Sequence, residues 1–191
     1  MLATLASLFN SKSETAVKSA LKAISAIFMA LSAYVPNAAH AAVPGSKVTV
    51  TFEGLAMGRE IRGIPNGYDG CNWGGGLEAA AKGAFKTDPG FQAVIRKHVA
   101  AVIEQFGGLG VITPNNGLMS IKSGHFAAFA NSGFGVIFNA YRNNVLVGTL
   151  AVPDLGAADT FIQFDKTFSN IDRLEIQGQV ALDNLLFKFA Q

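Results

Sequence analysis

From Leu118 onward the chain repeats one pattern, a short apolar run closed by turn residues. The runs are Met119 to Lys122, His125 to Phe129, Val136 to Tyr141, Val145 to Leu150, Thr160 to Phe164, Ile171 to Ile176 and Ala181 to Phe187. Their length, spacing and β-branched content predict strands. Near the other end Lys47-Val48-Thr49-Val50-Thr51-Phe52 alternates polar with apolar, which predicts a strand with one face on a core. Arg142-Asn143-Asn144 between two runs predicts a tight hairpin, because Asn tolerates the positive φ such turns need. The tract from Gly54 to Gly76 is dominated by Gly, Asn and Pro and reads as loop. Leu77 to Lys82, Leu-Glu-Ala-Ala-Ala-Lys, has helical propensity, and Val94, Val99, Val102, Ile103 and Phe106 give Phe91 to Phe106 a helical stripe. Many short strands without alternating long helices predict a mainly all-β fold, a two-sheet antiparallel sandwich of the jelly-roll kind with a short helix within 77–106. The abundant Phe, falling on alternate strand positions such as Phe161 and Phe187, is read as its core.

The first 41 residues do not belong to that pattern. Lys12, Lys18 and Lys22 precede the apolar run Ala23 to Leu31, and Ala39-His40-Ala41 places small residues where a signal peptidase reads, so 1–41 is expected to be a signal peptide. The run is shorter than the roughly 20 residues a membrane span requires. The expected mature chain, 42–191, is one domain's worth and is secreted or periplasmic. Removing the leader takes Lys plus Arg from 15 to 12 and Asp plus Glu from 13 to 12, so the formal charge of +2 falls to about zero. With no basic cluster, nothing predicts nucleic-acid binding.

Cys71 is the only cysteine, so no intramolecular disulfide forms and stability rests on packing. As a nucleophile it would need a base, and His98 and His125 stand in no recognisable cysteine-hydrolase setting; a partly buried structural thiol is the simpler reading. The two histidines also lack the spacing of metal ligands. Gly74-Gly75-Gly76 is no phosphate loop, because no Gly-Lys-Ser/Thr follows it.

Two groups of residues carry candidate chemistry. Around Ile64-Pro65-Asn66-Gly67-Tyr68-Asp69-Gly70-Cys71-Asn72-Trp73, the rings of Tyr68 and Trp73 lie among Asn66, Asp69 and Asn72. Sugars stack on aromatic faces and bond through their hydroxyls, so this composition suits a glycan site; the other reading turns Trp73 inward as a plug. Glu53 follows the first strand and Asp183 lies in the last, and the first and last strands of a jelly roll commonly pair. The two carboxylates, with backbone carbonyls, would suit a structural Ca²⁺. Otherwise Glu53 caps a turn and Asp183 with Asn184 hydrogen-bonds a bulge.

Thr51-Phe52-Glu53-Gly54-Leu55, the Ile64 to Trp73 loop, the strand pair Val136 to Leu150 and Ala181-Leu182-Asp183-Asn184-Leu185 together resemble a group of exported bacterial and fungal β-sandwich proteins of unassigned function, whose bacterial members are often PEP-CTERM sorted proteins. The likeness spans about 48–187 and is weak from Gly74 to Gly117. Cys71 lies outside its pattern, and no Pro-Glu-Pro tail follows Phe189. It implies extended structure within 91–106 and an exported sandwich with no established catalysis; similar sandwiches frequently serve as carbohydrate-binding modules. The expectation is therefore a non-catalytic module for glycan or another extracellular ligand. The alternative is a self-associating matrix-type protein joined by edge strands such as Val145 to Leu150, and the third reading is a glycoside hydrolase using two carboxylates.

Overall fold

The computed structural model describes residues 43–55, 60–95, 99–103, 108–129 and 135–190, and the expected leader and His98 lie outside them. Among the described residues the strands are β1 (Lys47–Val50), β2 (Ile61–Gly63), β3 (Cys71–Gly75), β4 (Leu77–Ala81), β5 (Val99–Ile103), β6 (Leu109–Pro114), β7 (Met119–Ala128), β8 (Val136–Arg142), β9 (Val145–Val152), β10 (Thr160–Gln163), β11 (Arg173–Gln177) and β12 (Val180–Phe189), with an α-helix, α1 (Pro89–Val94), before β5. They form two antiparallel sheets. Sheet A runs β10-β7-β12-β5-β4-β2, with β1 also paired to β12, and sheet B runs β3-β6-β11-β8-β9. The fold is the expected two-sheet antiparallel β-sandwich.

One core lies between the sheets, where the inward positions of every long strand meet. Leu182, Leu185 and Phe187 of β12 and Ile121 and Phe126 of β7 face Trp73, Ile112, Phe138, Leu174 and Ile176 of sheet B. Edge-to-face rings cross the gap, Phe126 on Phe138 at 5.0 Å and Trp73 against Phe187 at 6.4 Å, the geometry the ring quadrupole favours. Asn143 (φ 51°) and Asn144 (φ 63°) make the two-residue turn between β8 and β9 as expected, matching the twist of the flanking strands.

The helical propensity of Leu77 to Lys82 is not realised, since Leu77–Ala81 is a strand; the short helix expected within 77–106 is Pro89–Val94. Beyond it Val99–Ile103 is again strand, as the family resemblance implied. The cause is a second core on the outer face of sheet A. Phe91, Val94 and Ile95 pack with Phe129 onto a floor of Ala80, Ala100, Ala127 and Ala181. Strands covered on both faces lose the polar alternation that marks a strand, and alanine is used because the helix seats close to the sheet. Met119 to Ala128 is one ten-residue strand rather than two. Phe161 is not core; it is 59 % exposed on β10 with His125 at 5.2 Å, and its neighbour Ile162 points inward.

Candidate functional site

The three motifs that are far apart in sequence meet at one corner of the sandwich. β12 gives one flank first to β5, Leu182 opposite Ala101, and then to β1, Leu185 opposite Val50. Asp183 and Asn184 sit where the partner changes. The register with β7 breaks there, and Asn184 takes φ 52°, as expected of a bulged strand. Asp183, almost wholly buried, accepts the Asn184 amide at Oδ1 (2.7 Å) and the Asn184 side-chain amide at Oδ2 (3.3 Å). Glu53, just past β1, accepts the Val99 amide at Oε1 (3.3 Å) where β5 begins. Each carboxylate thus satisfies a backbone donor exposed by the split between β1 and β5.

The loop closes over this junction. Phe52, wholly buried and held at φ 57°, stacks on Tyr68 at 6.1 Å and meets Trp73 edge-on at 5.3 Å. A bulky residue in the left-handed region is strained, and it persists only where packing over-determines it. The Tyr68 hydroxyl has its pKa pushed up to about 12, first by burial and then by the charge of Asp69, with Glu53 and Asp183 adding to the rise and a hydrogen bond from the Gly54 amide opposing it. The charges of Glu53 and Asp183 are thus both felt at the Tyr68 hydroxyl.

Of the residues expected to bind ligand, the structure scatters rather than assembles them. Trp73 has the inward orientation: it is 6 % exposed, and Nε1 donates to the Tyr68 carbonyl at 3.0 Å. Phe52 and Phe187 take its ring contacts, so it offers no stacking face. Tyr68 is half-buried against Phe52, Asn66 is exposed, and Asp69 (φ 48°) lies in the 3₁₀ turn Tyr68–Gly70. Asn72 points away from all of them, on the outer face of sheet B opposite Thr113. The segment 71–75, expected as loop, is strand β3. Cys71 is wholly buried, and burial, then Asp69, push its thiol up to about 12. It stays protonated at neutral pH, the condition of an inert structural thiol.

Among the described residues no group of three or more His, Cys, Asp and Glu is placed to hold a metal; Asp183 and Glu53 each accept an amide donor. His125 Nδ1 lies 2.8 Å from Asp159 Oδ1 at the surface.

A second constellation was missed by the sequence reading. Among the described residues no helix or strand packs on the outer face of sheet B, and its registers order the outward side chains into rows. One row runs Asn72, Thr113, Arg173, Tyr141; the next runs Gly74, Val111, Glu175, Asn139, Thr149. Arg173 stacks its guanidinium over Tyr141, 4.2 Å from the ring centroid, and donates from Nη1 to Asn144 Oδ1 at 3.2 Å. Its Nε lies 3.1 Å from Glu175 Oε1 but without hydrogen-bond alignment, leaving that donor without a partner. The Tyr141 pKa is raised, first by its hydrogen bond to Glu175. Thr149 Oγ1 donates to Asn139 Oδ1 at 2.9 Å. The signal for this face was present in Asn139-x-Tyr141 and Arg173-x-Glu175, polar residues two apart in strands.

No family model and no curated protein matches the chain. Among solved structures it is similar to family 29 carbohydrate-binding modules. One complexed with mannohexaose is 14 % identical, with a TM-score of 0.41, covering 78 % of this chain and 94 % of that one. One complexed with cellulohexaose is 15 % identical, with a TM-score of 0.42 and the same coverages. Among the described residues no helix is long and apolar enough to cross a membrane.

Proposed function

We propose that the chain is an exported, non-catalytic binding module that holds a neutral glycan on the outer face of sheet B. The observation carrying this reading is the five-stranded face, on which no described helix or strand packs and where Tyr141 is held by Arg173 and Glu175 beside Asn139, Thr149, Thr113 and Asn72. An aromatic ring with hydrogen-bonding groups on rigid neighbouring strands matches the alternation of C–H faces and hydroxyls on a sugar chain. Because the network is already ordered, binding costs little side-chain entropy. In affinity electrophoresis against a soluble β-glucan and a galactomannan, the protein is expected to be retarded by at least one, and Tyr141→Ala to weaken that retardation about tenfold or more at unchanged thermal stability. Indifference of wild type to every neutral glycan sinks the reading.

A second reading, self-association, is favoured by one observation. β9 is the outer strand of sheet B, eight residues long, free of charge and proline, with Val145 62 % and Leu146 52 % exposed. Such an edge templates pairing with another strand. If it joins copies of this chain, sedimentation velocity shows a concentration-dependent dimer in wild type and a monomer for Leu146→Lys.

A further inference from the structure

The outer face of sheet A, at the end away from α1, gathers positive charge in a way the fold does not require. Lys47 of β1 and Lys188 of β12 are direct cross-strand partners, and Lys188 is also opposite Ser120 of β7. Lys47 and Lys188 are both exposed, and Lys122 lies two residues from Ser120 on the same strand. Like charges directly opposite one another destabilise a sheet. A cavity of about 460 Å³ opens on this face, lined by Gly45, Ser120, Lys122, Ser169, Asn170 and Lys188, with Phe189 and Ala190 at its end, and none of its lining residues is acidic.

The loop that roofs the cavity is set to present donors. Arg142 reaches it from sheet B, donating from Nε to the Asn170 carbonyl (2.5 Å) and from Nη2 to the Ser169 carbonyl (2.7 Å). Both carbonyl oxygens are thereby occupied by a guanidinium. Hydrogen bonds between Ile171 and Met119, 2.7 and 2.8 Å, clamp the loop to β7. On the other side Lys122 Nζ donates to Ser169 Oγ at 3.0 Å, which fixes the ammonium in place. Ser120, 5 % exposed, accepts the Asn170 amide at 3.0 Å, so its own hydroxyl proton remains to be donated. The result is a preformed recess with two ammonium groups and two hydroxyls, and among the described residues no carboxylate lines it.

We infer that this recess binds an oxyanion group, carboxylate or sulfate, carried on an acidic polysaccharide. Its volume suits one or two sugar units, the lysines supply charge-assisted hydrogen bonds to the anion, and Ser169 and Asn170 bond ring hydroxyls. A polyanion that relies on base stacking is less suited, since the only aromatic in the lining, Phe189, is buried in the core. The site is distinct from Tyr141 and does not depend on the neutral-glycan reading.

The test is affinity electrophoresis of the protein in gels containing polygalacturonate, dextran sulfate or uncharged dextran, with single-stranded DNA as a control polyanion. Wild type is expected to bind polygalacturonate or dextran sulfate, whichever is retained naming carboxylate or sulfate as the anion, more tightly than DNA, with affinity falling as salt rises. Lys188→Gln and Lys122→Gln each weaken binding about fivefold and together twentyfold or more, while Lys122→Arg retains most of it. Lys166→Gln, exposed and outside the lining, leaves it unchanged, as does Tyr141→Ala. Failure to bind either acidic polysaccharide, equal binding of DNA, equal loss in Lys166→Gln, or binding of free inorganic sulfate alone overturns the proposal. Unchanged melting temperatures in the lysine variants establish that lost binding is not lost folding.

Discussion

Replacing Trp73 by alanine is expected to destabilise the protein by about 3–5 kcal/mol, the cost of emptying a site filled by a buried aromatic. That is a large part of the stability of an ordinary domain. The indole closes the sandwich at β3, an edge strand of sheet B, by meeting Phe52 from the end of β1 and Phe187 from β12. It also holds the loop down, because Nε1 donates to the Tyr68 carbonyl from five residues away. Alanine leaves a void that Phe52 cannot fill, since its own backbone at φ 57° is fixed by the surrounding packing. Trp73→Phe, which keeps one ring but loses the N–H donor and part of the indole's volume, is expected to cost about half as much. Urea unfolding followed by far-UV circular dichroism measures both, and wild-type Trp fluorescence should be blue-shifted and shielded from iodide until the chain unfolds. A cost below about 1 kcal/mol for Trp73→Ala, or ready quenching in the native state, would mean that the indole is not the plug.

That role was one of two readings open from composition alone, and the reason is general. A lone Trp among Gly and Asn gives a loop-like local signal, while its burial is decided by Phe52 and Phe187, which are distant in sequence. The strands after Leu118 were legible because short apolar runs recur there between turn residues. The Asn143-Asn144 turn was legible because its backbone demands residues that tolerate positive φ. The pairing of the first strand with the last was legible from topology, and β1 does pair with β12. What the pattern concealed was Ala79-Ala80-Ala81 and Val99-Ala100-Ala101. Those strands lie between two cores and carry small residues for the helix above, so they mimic helix in composition. The Tyr141, Arg173 and Glu175 face was hidden for the opposite reason. Polar residues on alternate positions look like any solvated strand face until registers place three strands side by side.

The close seat of α1 leads to the other large effect, a loss of about 3 kcal/mol or more for Gly90→Ala, at the upper end for overpacking a core. Asp88 caps the helix by accepting the Phe91 amide at 2.7 Å, and Pro89 begins it, so the first turn is fixed in direction. Gly90, the next residue, lies against β7 so closely that a Cβ would stand 1.8 Å from the Ala128 carbonyl oxygen. That atom cannot yield, because Ala128 is held in the ladder opposite Val180 and its amide donates to the Gly156 carbonyl. The helix must lift instead, pulling Phe91 and Val94 from the alanine floor and opening the Phe85, Phe91 and Phe129 ring cluster. Gly63→Ala is the control: nothing lies within 4 Å of a Cβ there, so the change should stay within about 0.5 kcal/mol. Urea midpoints separate the two, and amide exchange in β4 and β5 should quicken only in Gly90→Ala, because those strands lose their outer cover. Equal stability of the two variants would show that α1 does not sit on the sheet as closely as the alanines imply.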